Sequence, residues 1–148
     1  MVKAGARIVD LCKAGDDFIV AECKKAFPKN NIERGIAFPT CVSVNNIAGH
    51  FSPLKADQTL LRKGDVVKID LGAHIDGFIA LAARTLVCEP EGDVTGRTAD
   101  VITAAQVAMN AAIHCLQVGK NVCFLVLIIF LLNRLLKTFL RTCCIKRL

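Results

Sequence analysis

No Cys-x-x-Cys pair occurs among the eight cysteines (12, 23, 41, 88, 115, 123, 143 and 144), and no spacing between them suggests zinc. No internal repeat is visible, and no apolar stretch reaches the roughly 20 residues of a membrane span. The longest, residues 122–132, has eleven residues without a polar one. No acid follows that run, whereas five bases do: Arg134, Lys137, Arg141, Lys146 and Arg147. These absences exclude a zinc ribbon and a solenoid, and they confine the basic excess to one end of the chain. The first residues read as helical and mixed in charge and not as a cleavable leader, so the thiols are expected to be buried and reduced in an intracellular protein.

The 148 residues suffice for one domain with a real core, and 53% of them are hydrophobic. The formal net charge is +6, from 19 basic and 13 acidic residues. With the five tail bases set aside, 14 bases face 13 acids in residues 1–121. That body offers no electrostatic argument for a polyanion partner. The chain thus divides into a globular body, 1–121, and an apolar, basic tail, 122–148.

Along the body, 6–14 and 16–27 read as two short helices broken at Gly15, with Asp16 and Asp17 capping the second. Residues 28–34 are a polar turn. An extended region follows through Pro39, because the residue before a proline avoids the α conformation. Val42 and Val44 mark a short strand, and 45–46 and 52–55 are loop chemistry. Residues 66–75 form a strand, Asp76-Gly77 is a hairpin turn signal, and 78–87 return as its partner. Residues 98–117 form a helix in which Ile102, Ala105, Met109, Ala112, Ile113 and Leu116 share one face.

The hairpin carries the only chemistry-bearing arrangement. With its turn at 76–77, position 70 faces 83, and positions 70, 72 and 74 share a face with 79, 81 and 83. Asp70 therefore has position 81 as a diagonal neighbour, roughly 7–8 Å away. Carboxylates at both places would make one wall of a two-metal site. Position 81 is Leu. One acid can neither bridge two cations nor hold one firmly, since hard metals want several oxygen ligands.

Three strings carry a family resemblance: Gly35-Ile36-Ala37-Phe38-Pro39-Thr40, then Val44-Asn45-Asn46 with His50-Phe51-Ser52-Pro53, then the residues from Lys68 to Ala80 (KIDLGAHIDGFIA). Val94-Thr95-Gly96-Arg97-Thr98 continues them. Together they resemble the pita-bread methionine aminopeptidase superfamily, and within it the proliferation-associated, ErbB-receptor-binding, non-peptidase branch. The likeness runs from about position 9 to position 119. It implies that active members bind two metals through two hairpin aspartates, a histidine and two glutamates from a later half of the fold. Asp70 matches the first aspartate, Leu81 stands at the second, and His50 matches a histidine that contacts substrate. The remaining ligands have no counterpart, and the chain resembles a truncated copy of a longer protein. Asp70 and His50 are then vestigial, and no cofactor is expected. Plainer readings stand beside these: Asp70 as an acid kept for a buried hydrogen bond, His50 as a loop histidine, and Lys24, Lys25 and Lys29 as a solvated helix end in place of an RNA contact.

Beyond 131, Leu131, Leu132, Leu135, Leu136, Phe139, Leu140 and Cys143 recur at helical spacing, opposite Arg134, Lys137 and Arg141. That is a basic amphipathic helix suited to an anionic membrane surface, with Cys143-Cys144 as acylation candidates. The expectation is an α+β fold, the N-terminal half of a pita-bread. It has two N-terminal helices, an antiparallel sheet built on the 66–87 hairpin, a packed helix and an apolar C-terminal helix. By resemblance, the function is non-enzymatic: an interaction protein with protein partners, RNA or ribosome contacts and transcriptional co-regulation, in cytoplasm and nucleus. Two alternatives stand beside it, a remnant methionine aminopeptidase completed by another chain and a protein anchored to membranes through its tail.

Overall fold

The computed structural model of the chain describes residues 1–26, 28, 31–115 and 119. Packing divides the chain after Asp93 into two units. The first holds α1 (Ile8–Lys25), β1 (Arg34–Val44), β2 (Val66–Ile75) and β3 (Phe78–Val87). The second holds α2 (Gly96–Cys115), which begins two residues before the start that its periodicity predicts. The sheet is antiparallel in the order β1-β2-β3, so the class is α+β with the 66–87 hairpin as its frame. The expected tail helix, with its membrane contact, lies outside the described residues. Among the described residues no helix is long and apolar enough to cross a membrane.

One expectation is overturned. α1 is a single 18-residue helix that runs through Gly15, where the sequence reading places a break. Its buried residues Ile8, Cys12, Ile19 and Cys23 recur at helical spacing and make one stripe. Gly15 falls on that stripe. A side chain there would start 2.7 Å from both Oγ1 and Cγ2 of Thr40 on β1, a residue only 1% exposed. Glycine weakens a helix interior by about 1 kcal/mol against alanine, but here it lets helix and strand approach closely, and packing overrides propensity. Asp16 is likewise inside the helix and not at a cap. Its Oδ1 accepts the Thr40 backbone N–H at 2.8 Å.

β1 is one 11-residue strand where the sequence suggests a short one. Its pairing with β2 is irregular between Ile36 and Phe38 and again between Phe38 and Cys41. Pro39 sits in the second irregularity, where it has no N–H to give the ladder. The core is Ile8, Cys12, Val42, Leu61, Val67 and Cys88, drawn from α1, β1, β2, the stretch before β2 and the residue after β3. Each of its larger aliphatic side chains contributes about 1.5–3 kcal/mol by leaving water. The stretch before β2 pins the start of the chain: Leu61 N–H donates to Ala6 O at 2.9 Å and Gly5 N–H to Leu61 O at 2.8 Å.

Candidate functional site

Asp76 (φ 53°) and Gly77 (φ 79°) both take positive φ, as a type I′ turn requires. That turn fixes the register. Ile75 pairs with Phe78, Gly72 with Leu81 and Asp70 with Ala83, without interruption down to Val66 and Val87. Leu81 is therefore the diagonal neighbour of Asp70, as the turn position requires. On its other side Asp70 pairs with Cys41 of β1. Its lateral neighbours are thus a thiol and a methyl group. Leu81 reaches over buried Gly72, where an added Cβ would lie 2.9 Å from Leu81 Cδ2 and 2.6 Å from Phe38 Cε1. Leu81 is itself 68% exposed.

Electrostatics tie Cys41 to Asp70 on β2 and to Asp16 on α1. Burial pushes the Cys41 thiol above its ordinary range, and the carboxylates of Asp70 and then Asp16 push it further. Burial raises the Cys12 thiol too. A hydrogen bond with Ser52 works against that rise, while Cys41 and Asp16 add to it. Cys41 thus feels Asp70 across the strand pair and Asp16 from α1. Both thiols stay protonated near neutral pH, which weakens them as nucleophiles. Where the end of β1 meets the start of β2, side-chain hydrogen bonds run through Ser43, Asn45 and Lys68.

His50 lies in the loop after β1. It is exposed and has φ 58°, a left-handed conformation that histidine tolerates better than most side chains. The next residue fixes it to β1: Phe51 O accepts the Val42 N–H at 2.8 Å, and Phe51 N–H donates to Ser43 Oγ at 3.3 Å. That segment runs along the edge of β1 opposite β2. His50 and Asp70 therefore flank β1 from two sides, with backbones about two strand spacings, ~10 Å, apart. Among the described residues no three of His, Cys, Asp and Glu converge in a way that could hold a metal ion. His74 pairs with Gly35 and Ile79 and joins no such group.

Sequence reasoning missed Cys41 as the neighbour of Asp70, and Asp16 as the partner of the Thr40 N–H. Alternation along β1 would have placed Cys41 had its register been legible, but the irregular stretch around Pro39 hides it. Asp16 was hidden by the assumption of a helix break at Gly15.

Comparison with known proteins gives three results. The profile of metallopeptidase family M24 matches residues 1–127. Proliferation-associated protein A of Dictyostelium discoideum is 56% identical over 120 residues, which cover 79% of this chain and 31% of that protein. ErbB-3 binding protein 1 of Arabidopsis thaliana is 52% identical over 121 residues, 80% of this chain and 31% of that protein. The chain thus spans about a third of the length of the curated relatives it matches. Among solved structures, that of a thermophilic Arx1 superposes with a TM-score of 0.65 at 32% identity, over 76% of this chain and 31% of that one.

Proposed function

Since the chain belongs to metallopeptidase family M24, we propose that it works as a non-catalytic interaction protein of the proliferation-associated kind. The observation that carries this reading is Leu81, diagonal to Asp70 and opposite Gly72. A two-metal site needs a second hard oxygen ligand at that point of the hairpin. The residues present do not fit such a pair of ions. On the sheet Asp70 pairs with a thiol and a methyl, and its diagonal neighbours on β3 are Leu81 and Thr85, neither a carboxylate. His50 could still meet a peptide from the loop, but nothing beside it would activate water.

In this reading the frame of hairpin, α1 and pinned loop serves as a platform for a partner. The relatives' names point to protein recognition, and one of them is named for binding ErbB-3. Contact with ribosomes or RNA, and a setting in cytoplasm and nucleus, belong to the same proposal. The tail, 122–148, is proposed as a second contact region. Its basic residues and paired cysteines are what an anionic membrane surface would meet.

Two measurements test the reading. Methionine release from short peptides is followed with manganese or cobalt added, with the chain alone and with a full-length relative. No release above buffer is expected from the chain alone, and turnover by it would sink the proposal. Binding is then followed to the intracellular segment of an ErbB-type receptor and to purified ribosomes, with and without nuclease. Retention on either supports an interaction role, and retention on neither removes it.

A further inference from the structure

We propose that β3 pairs antiparallel with β3 of a second copy of this chain about a two-fold axis at Leu81, so that two three-stranded sheets join into one. β3 is an edge of the described sheet, and nothing among the described residues pairs with its outer side. Its first seven residues, 78–84, are exposed on both faces. Six of them are apolar (Phe78, Ile79, Ala80, Leu81, Ala82 and Ala83), with Phe78 81%, Ile79 63% and Leu81 68% exposed. Proteins normally blunt such an edge with a charge, a proline or a bulge. β3 has no proline, its pairing with β2 is unbroken, and its one charge, Arg84, comes at the end of the stretch.

The occupant follows from the strand's own symmetry. A two-residue turn closes on a hydrogen-bonded pair, here Ile75 and Phe78. Without a register shift, Phe78, Ala80, Ala82 and Arg84 direct their N–H and C=O groups to β2. Ile79, Leu81 and Ala83 direct theirs to the open edge. Leu81 is both the midpoint of the exposed stretch and one of these outward residues.

A two-fold centred there sets Leu81 against the partner's Leu81 and Ile79 against the partner's Ala83 as hydrogen-bonded pairs, with about six main-chain bonds in all. The closer, non-bonded positions then set Phe78 against the partner's Arg84. The stretch's single guanidinium meets an aromatic ring and not its own like charge. Centring two residues away in either direction breaks this match and leaves part of the exposed stretch unpaired. The inference does not depend on the functional reading above.

Sedimentation velocity of the full chain across a wide concentration range tests it. A concentration-dependent dimer is expected, and Leu81→Lys, which sets two ammonium groups beside the axis, should weaken association by at least about ten-fold. Leu81 is 68% exposed, so at concentrations where both chains are monomeric the circular dichroism melt of that variant should match the parent's. A chain that stays monomeric throughout overturns the proposal, as does a dimer that Leu81→Lys leaves intact. The register is read by oxidation. Thiols introduced by Leu81→Cys lie at hydrogen-bonded pair spacing, about 5.5 Å between Cα atoms, within disulfide range. They should cross-link to each other, with the link located by peptide mass mapping, far more than thiols introduced by Ala82→Cys. Equal cross-linking at the two positions overturns the two-fold at Leu81.

Discussion

Leu81 closes over Gly72. The two residues pair directly across the β2–β3 hairpin, and Leu81 Cδ2 lies 2.9 Å from where a side chain on Gly72 would begin, with Phe38 Cε1 nearer still at 2.6 Å. The leucine that removes a carboxylate from the hairpin therefore also fills the space above its neighbour. Gly72→Ala is expected to destabilise the first unit by about 1–3 kcal/mol, the range for overpacking a filled site. Leu81→Ala should recover only part of that loss, because the half-buried Phe38 ring is the closer obstacle. Urea midpoints of the single and double variants check both points. Full recovery in the double variant would show that Phe38 yields freely.

Gly15 and Thr40 make a second such contact, and here two effects compete. Alanine for glycine in a helix interior gains about 1 kcal/mol. The new methyl, however, would start 2.7 Å from Thr40 Oγ1 and Cγ2 and 3.1 Å from its Cβ, with Thr40 buried. The clash should win, so that Gly15→Ala lowers stability. With Thr40→Ala already in place the same change should raise it. A double-mutant cycle reads the reversal, and the same sign in both backgrounds would show that Gly15 is not kept by this contact.

How far the fold was legible follows from these two glycines. The hairpin was readable residue by residue, because Asp76-Gly77 admits one turn type and the turn fixes every pair behind it. The α1 helix was not, since glycine's weakness in a helix is local, whereas the contact with Thr40 is 25 positions away. β1 was half legible: its apolar alternation shows, but the irregular pairing around Pro39 hides which residue meets Asp70. The Asp70–Leu81 relationship came from parity alone, whereas the pairing of Asp70 with Cys41 and the bond from Thr40 to Asp16 needed the packed structure.

Asn45 ties β1 to the entry of β2. Its side-chain amide donates to Asp65 Oδ1 at 2.9 Å, and its Oδ1 accepts the Val66 N–H at 2.9 Å. Its own backbone holds φ 51°, which asparagine bears better than most residues. Both bonds are solvent-exposed, so Asn45→Ala should cost about 0.5–1.5 kcal/mol, and Asn45→Gly less, because glycine relieves the backbone while losing the same bonds. The hydrogen bond from Asn45, then that from the Arg62 N–H, holds the Asp65 carboxyl below its ordinary 3.8. A lowered carboxyl adds stability that is present above pH 3.8 and lost as pH falls through the depressed value. Asn45→Ala should shrink that acid loss, which a pH series of urea melts can measure.

At alkaline pH the thiols act in the opposite sense. Burial raises Cys12, Cys41 and Cys88 above their ordinary 9.0, with Asp70 and Asp16 adding to the rise at Cys41. In the unfolded chain these thiols ionise first, so their contribution is intact below pH 9.0 and declines as pH rises through the raised values. Lys68 opposes this in part, since burial lowers its ammonium below 10.5 and stability from that group grows with pH. Cys41→Ala isolates the thiol: relative to its own stability at pH 7, that variant should lose less toward pH 10 than the parent does. Equal alkaline slopes would show that Cys41 titrates alike folded and unfolded.

The sharpest prediction concerns the missing ligand. Leu81→Asp would set a second carboxylate diagonal to Asp70, roughly 7–8 Å away between backbones and within reach of a shared ion. Two carboxylates with no further protein ligand hold a divalent cation only weakly, with a dissociation constant of about 1 mM or above. Manganese binding followed by electron paramagnetic resonance should therefore be undetectable for the parent, weak for Leu81→Asp, and lost again when Asp70→Asn is added. The last variant separates binding at the hairpin from binding elsewhere, because it leaves every other acid in place. If the parent binds manganese as well as Leu81→Asp does, a site exists that the hairpin does not explain. The case for a non-catalytic protein would then lose the observation that carries it.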